Sequence, residues 1–216
     1  AHSVLKKAET LGVKGKVFDN LKAKLRSANL EISEVYLQTI TDLVGQNKHK
    51  EVVEYSIQAL RDFPNSIFIL NANATALAQL KRFDEAIKTY KRVLLINPNL
   101  AEAINNMGTC FLEMGNVDEA LKNYKIALEI NPQYAMALNN LGNAYKFCGN
   151  LNSAIRTYDK ALKIRPDYPE AIMNQSFAYL AQRNFMDGWK RYEHRLNVKS
   201  ITFNVVKIPI KPKWKP

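Results

Sequence analysis

Residues 101–134 read AEAINNMGTCFLEMGNVDEALKNYKIALEINPQY, and residues 135–168 read AMALNNLGNAYKFCGNLNSAIRTYDKALKIRPDY. The second stretch follows the first at an interval of 34 residues with no gap, and the same frame extends back over 67–100 and 33–66 and forward from Pro169 to about Asn197. Self-similarity at a fixed period of this size marks a repeat architecture, in which each unit buries its apolar face only by stacking on the next. Two helical patterns alternate within a unit: Ala101 to Met114, a break at Gly115-Asn116, then Asp118 to Ile130, ended by Asn131-Pro132. Proline cannot continue a helix, so Pro64, Pro98, Pro132 and Pro166, each 34 residues from the next, mark the turns between units.

Small residues recur where two helices must approach closely: Ala74, Gly108, Gly142 and Ser176 on first helices, Ala86, Ala120, Ala154 and Gly188 on second ones. Large side chains take the complementary places, Leu77, Phe111, Tyr145 and Tyr179 on first helices and Tyr90, Tyr124 and Tyr158 on second ones. At such spacing these aromatics read as core. The pattern resembles the tetratricopeptide repeat, whose Leu-Gly, aromatic, two alanines and proline stand here as Leu141-Gly142, Tyr145, Ala154, Ala161 and Pro166. The resemblance covers 33 to about 197 in five units, 33–66, 67–100, 101–134, 135–168 and 169–197. It implies an all-α fold, a right-handed superhelical solenoid of antiparallel helix pairs. The outer units depart from the pattern, with Ile40 at the glycine site, Val52 at an alanine site and Arg195 at the second alanine site, as terminal repeats of a solenoid commonly do.

The paired amides of NNMG (105–108) and NNLG (139–142) ask for a reason. On a first helix starting at Ala101, the positions that avoid Met107, Gly108 and Phe111 are Glu102, Asn105, Asn106, Thr109 and Glu113, and they are expected to form an exposed stripe. The next unit contributes Met136, Asn139, Asn140, Asn143 and Phe147, and the one after it Met173, Asn174 and Phe177. Asn106, Asn140 and Asn174 then stack one repeat apart, and Asn71 and Thr75 of the preceding unit are added as candidates. In tetratricopeptide proteins asparagines at this position can grip the backbone of an extended peptide, so the resemblance implies a concave groove that binds a protein or peptide. The chemistry suits it, since one amide side chain offers a donor and an acceptor at once. The bland alternative is that these asparagines bond only locally. Lys146 is the one cation in the stripe, which argues against a clamp for paired carboxylates of the kind built from several Lys and Arg. The candidate peptide-binding residues are therefore Asn71, Thr75, Asn105, Asn106, Thr109, Asn139, Asn140, Asn143, Lys146 and Asn174.

The chain has 216 residues, 47% hydrophobic and 24% charged, the balance of a folded protein. Its net charge of +11 is unevenly placed: residues 1–32 carry seven basic and three acidic side chains, 199–216 five basic and none acidic, and 33–198 nineteen basic against seventeen acidic. A near-neutral middle offers no continuous basic stripe, which disfavours nucleic acid as the partner. No apolar stretch is long enough to span a bilayer, and the N-terminal AHSVLKKAET lacks the apolar run of a secretory signal, so a cytoplasmic location is expected. Cys110 and Cys148 have no metal-ligand spacing and read as small core or near-core residues. No nucleophile–base pair, paired carboxylates on one face or phosphate-binding glycine loop appears, so neither catalysis nor a cofactor nor a metal is expected.

The ends carry weaker signals. Val4, Leu5, Ala8 and Leu11, then Phe18, Leu21 and Leu25, are spaced as two short amphipathic helices within 1–32, a helical flank that packs on the first repeat or tethers something upstream. Near the other end NFMDGWKRYEHRL resembles the last repeat of bacterial proteins in which tetratricopeptide repeats precede a glycosyltransferase, through Gly188-Trp189, Tyr192-Glu193 and Arg195, although His194 stands where that family tends to have tryptophan. That resemblance implies an acceptor-recognition arm whose catalytic domain lies beyond residue 216. The plain reading is a capping helix in which Trp189 and Tyr192 shield the end of the stack and His194 has no catalytic part. The tail 198–216, with Pro209, Pro212 and Pro216, reads as an extended Pro/Lys-rich linker; alternatively it folds back or enters a neighbour's groove, giving self-association.

Overall fold

In a computed structural model, residues 34–194 are described, and they are all-helical. The flank 1–32, Arg195 and the tail 198–216 lie outside the described residues, as does the side chain of His194. The chain divides into two compact units, residues 1–98 and 99–216. The first holds α1 (34–45), α2 (His49–Asp62), α3 (Ile67–Gln79) and α4 (Phe83–Ile96), with α3 packed on both α2 and α4. The second holds α5 (Ala101–Glu113), α6 (Val117–Ile130), α7 (Ala135–Phe147), α8 (Leu151–Ile164), α9 (Pro169–Ala181) and α10 (Phe185–His194). Each of these helices packs on the next, and the alternate first helices α5, α7 and α9 also touch in sequence.

The turn inside each helix pair is made the same way in both units. Asn47, Lys81, Gly115, Gly149 and Arg183, all 34 apart, adopt positive φ between 56° and 80°. This left-handed residue lets the following N–H turn back to the last helical carbonyls: Arg82 N–H bonds Leu77 O and Asn150 N–H bonds Tyr145 O, both at 2.9 Å. The turn between pairs starts at Asn97, Asn131 or Arg165, with a proline next, and Tyr134 N–H closes on Asn131 O at 3.1 Å. Pro169 opens α9 at its first turn, where a missing N–H costs nothing.

Small and large residues meet as their spacing predicts. Tyr90, Tyr124 and Tyr158 are buried, and Gly108 and Gly142 lie against the last two. A Cβ added to Gly108 would stand 2.9 Å from Cε1 of Tyr124; one added to Gly142 would stand 2.7 Å from Cδ1 of Tyr158. In the second unit Ala120, Tyr124, Leu141 and Ala144 form one core cluster, Ala154, Ile155, Tyr158 and Ala178 the next, and Leu138, Ala161, Tyr168 and Ala171 a third. In the first unit Ile40 and Val52, the two departures from the small-residue pattern, are fully buried. The expectation for the cysteines is corrected at one of them. Cys110 is buried on α5, and burial pushes its thiol up to about 11, but Cys148 caps the end of α7 and is exposed. Trp189 also shields less than a cap would: it is 54% exposed, with its ring set edge-on to Tyr192 at 5.6 Å.

Candidate functional site

The two asparagines of each pair have different surroundings, and this corrects the expected stripe. Asn105 is fully buried and Asn139 is 5% exposed, whereas Asn106, Asn140 and Asn174 are half-buried. Adjacent helical residues point about 100° apart, so only one of two neighbours can share the outward direction. Asn105 and Asn139 instead lie under the next repeat. Asn140 Nδ2 donates to Asn105 Oδ1 at 3.0 Å, and Asn174 Nδ2 donates to Asn139 Oδ1 at 3.1 Å, two bonds of the same design across 35 residues each. Asn105 Nδ2 in turn donates to Asn106 Oδ1 at 3.1 Å. A buried amide without partners would cost about 1–3 kcal/mol, so the second asparagine of one repeat satisfies the first asparagine of the one before.

The polar residue three places after the second asparagine is engaged as well. The buried tyrosine of each second helix needs a partner for its hydroxyl, and the first helix supplies it. Thr75 Oγ1 and Tyr90 OH lie 3.0 Å apart, Tyr124 OH donates to Thr109 Oγ1 at 3.2 Å, and Tyr158 OH donates to Asn143 Oδ1 at 2.7 Å. Burial pushes the Tyr124 phenol up to about 12 and the Tyr158 phenol higher still, which keeps both as neutral donors. In the following repeat the equivalent place is Phe177, and the hydroxyl bond is replaced by a ring contact of 6.1 Å with Tyr192. Sequence reasoning assigned Thr75, Thr109 and Asn143 to a ligand without this use; the signal for it is the constant interval of 15 residues between each of them and its tyrosine.

What stays available in the second unit is a narrower set. Asn140 spends its Nδ2 on Asn105 and, at 3.5 Å, on Thr109, while its Oδ1 accepts from no described residue. Lys146 is half-buried and its Nζ donates to Asn174 Oδ1 at 3.4 Å. Desolvation holds its ammonium below the ordinary lysine range. Beside these amides stand exposed apolar side chains at helical spacing, Met136 and Phe147 on α7 and Phe177 on α9. In the first unit Asn71 and Thr75 lie half-buried on α3. Among the described residues no group of three His, Cys, Asp or Glu is placed to hold a metal, and no helix is long and apolar enough to cross a membrane.

Helix pairs on a 34-residue period, with left-handed turns inside each pair and small residues packed on tyrosine, are the tetratricopeptide type of helical repeat. A family model of the tetratricopeptide repeat matches residues 66–133 and 99–167, and this stretch is built of such repeats. Among solved structures, the chain is similar to the MamA protein, with a TM-score of 0.62 at 20% identity over 77% of this chain and 91% of that one. MamA 41-end from Desulfovibrio magneticus RS-1 gives a TM-score of 0.64 at 20% identity, over 76% and 93%. PilF of Pseudomonas aeruginosa gives 0.70 at 17% identity, over 81% and 79%. At these identities the likeness is one of fold. No curated protein sequence gives a significant match.

Proposed function

We propose that this chain is a non-catalytic scaffold that binds an extended segment of another protein along its first helices. The observation that carries the reading is the bonding of Asn140 to Asn105 and of Asn174 to Asn139, which orients a half-buried amide at the same point of successive repeats and leaves Asn140 Oδ1 to accept a peptide N–H. Side chains locked by second contacts lose little freedom on binding, so each bond they make to a peptide backbone keeps more of its free energy. At about 1 kcal/mol per net hydrogen bond, three amides give a few kcal/mol, near what a millimolar complex needs, so apolar neighbours such as Met136, Phe147 and Phe177 have to supply the remainder. The tetratricopeptide class supports the same use. The narrower likeness to an arm preceding a glycosyltransferase rests on Gly188 to Arg195 alone, and neither the family model nor the similar structures lend it support.

A library of random dodecapeptides displayed on phage tests the reading. Peptides selected on the wild-type chain are expected to bind the Asn106→Ala/Asn140→Ala variant at least tenfold more weakly by titration calorimetry, about the loss of one to two hydrogen bonds. Equal affinities would take the groove amides out of the account.

A further inference from the structure

Lys146 is the only cation on the three first helices of the second unit, α5, α7 and α9. It is half-buried, and its one polar contact is a neutral amide oxygen, Asn174 Oδ1 at 3.4 Å. Ion pairs among the described residues, such as Lys48 with Glu51, Arg82 with Glu85 and Arg165 with Asp167, lie on exposed side chains and do not include it. A partly desolvated ammonium held by a single amide is under-solvated, and the group that best replaces its lost water is a carboxylate. The polar surroundings are already committed: Asn143 to Tyr158, Asn174 to Asn139 and Asn140 to Asn105. These partners are all neutral, and no carboxylate among the described residues pairs with Lys146.

From this we infer that the bound segment carries an acidic side chain, Asp or Glu, that pairs with Lys146 Nζ, flanked by an apolar residue that meets Phe177. The inference rests on the groove reading above and names the class of peptide that fits it. An internal acidic side chain suits the site better than a chain terminus, because contact surface continues to both sides of Lys146, the open Oδ1 of Asn140 in its own helix and the exposed ring of Phe177 in the next. Phe177 is 42% exposed and stands one helical turn beyond Asn174, so an apolar neighbour of the acidic residue has a surface to cover.

Selection of the displayed dodecapeptides on the wild-type chain and on Lys146→Met gives the test, with affinities of the selected peptides measured by calorimetry as free peptides amidated at the C-terminus. Asp or Glu is expected at one fixed place in peptides selected on the wild type and not in those selected on Lys146→Met. Changing that residue to Gln or Asn is expected to weaken binding to the wild type about tenfold, the size of one charge-assisted hydrogen bond, and to leave binding to Lys146→Met unchanged. A similar loss on both proteins, or no acidic preference, overturns the inference while the groove reading stands on its Asn106/Asn140 dependence. Tight binding only by peptides with a free C-terminal carboxylate also overturns it in favour of a terminus. If no selected peptide depends on Asn106 and Asn140, both readings fall together.

Discussion

At the scale of single residues, the tightest fit among the described glycines is that of Gly142 against Tyr158. Tyr158 cannot retreat freely from a side chain at position 142, because its hydroxyl is held by Asn143 at 2.7 Å and its ring is fully buried. Gly142→Ala is therefore expected to destabilise the protein. Overpacking of about 1–3 kcal/mol outweighs the ~1 kcal/mol that alanine gains over glycine inside a helix. Gly108→Ala, where the nearest approach to Tyr124 is longer, should cost less. Urea unfolding of the two variants checks the order, and a Gly142→Ala midpoint at or above that of the wild type would show that the ring yields. The asparagine pairs work at the same scale. Two identical side chains side by side have unlike tasks, one buried to receive a bond and the other half-open to make it.

Between residue and molecule, the element that repeats most faithfully is the turn inside each helix pair. All five turns use a left-handed residue, yet only Gly115 and Gly149 are glycines; Asn47, Lys81 and Arg183 adopt the same backbone with a Cβ. A non-glycine residue there costs about 1–2 kcal/mol, against roughly 0.4–1 kcal/mol that glycine loses through the greater freedom of the unfolded chain. Lys81→Gly is expected to stabilise the chain by up to about 1 kcal/mol, read as a higher urea midpoint with an unchanged slope. No ion pair is sacrificed, since Arg82 and not Lys81 bonds Glu85, by two bonds of 2.7 Å. A lower midpoint for Lys81→Gly would mean that the lysine stem packs on the turn.

At the scale of the molecule, stacking gives each helix a neighbour on both sides except at the ends of a stack. Ile155 on α8 is 8% exposed because α9 covers it, while Trp189, its equivalent on α10, is 54% exposed, and Phe185 and Met186 beside it are exposed as well. α10 packs on α9 alone among the described helices, so its amides are expected to exchange with solvent deuterium faster than those of α7 and α8, as read by mass spectrometry of peptic fragments. Uniform protection across α7 to α10 would show that the second unit opens as one body. The charge of +11 belongs mostly to the segments outside 33–198, so the repeats themselves are close to neutral, and a single under-solvated lysine stands out against that background.

The spacing of residues alone determined the helix pairs, their turns and the partnership of small residues with tyrosines. Each of these is local or repeats every 34 residues, so the pattern is written many times over along the chain. The use of Asn105 and Asn139 was decided only in three dimensions. An amide at either of two adjacent helical positions looks the same in one dimension, and which is buried depends on a side chain 35 residues away that arrives when the next repeat packs. The same holds for Thr109 and Asn143, which open surface could have claimed for a ligand and buried phenols claimed first, because a hydroxyl removed from water must find its bond inside.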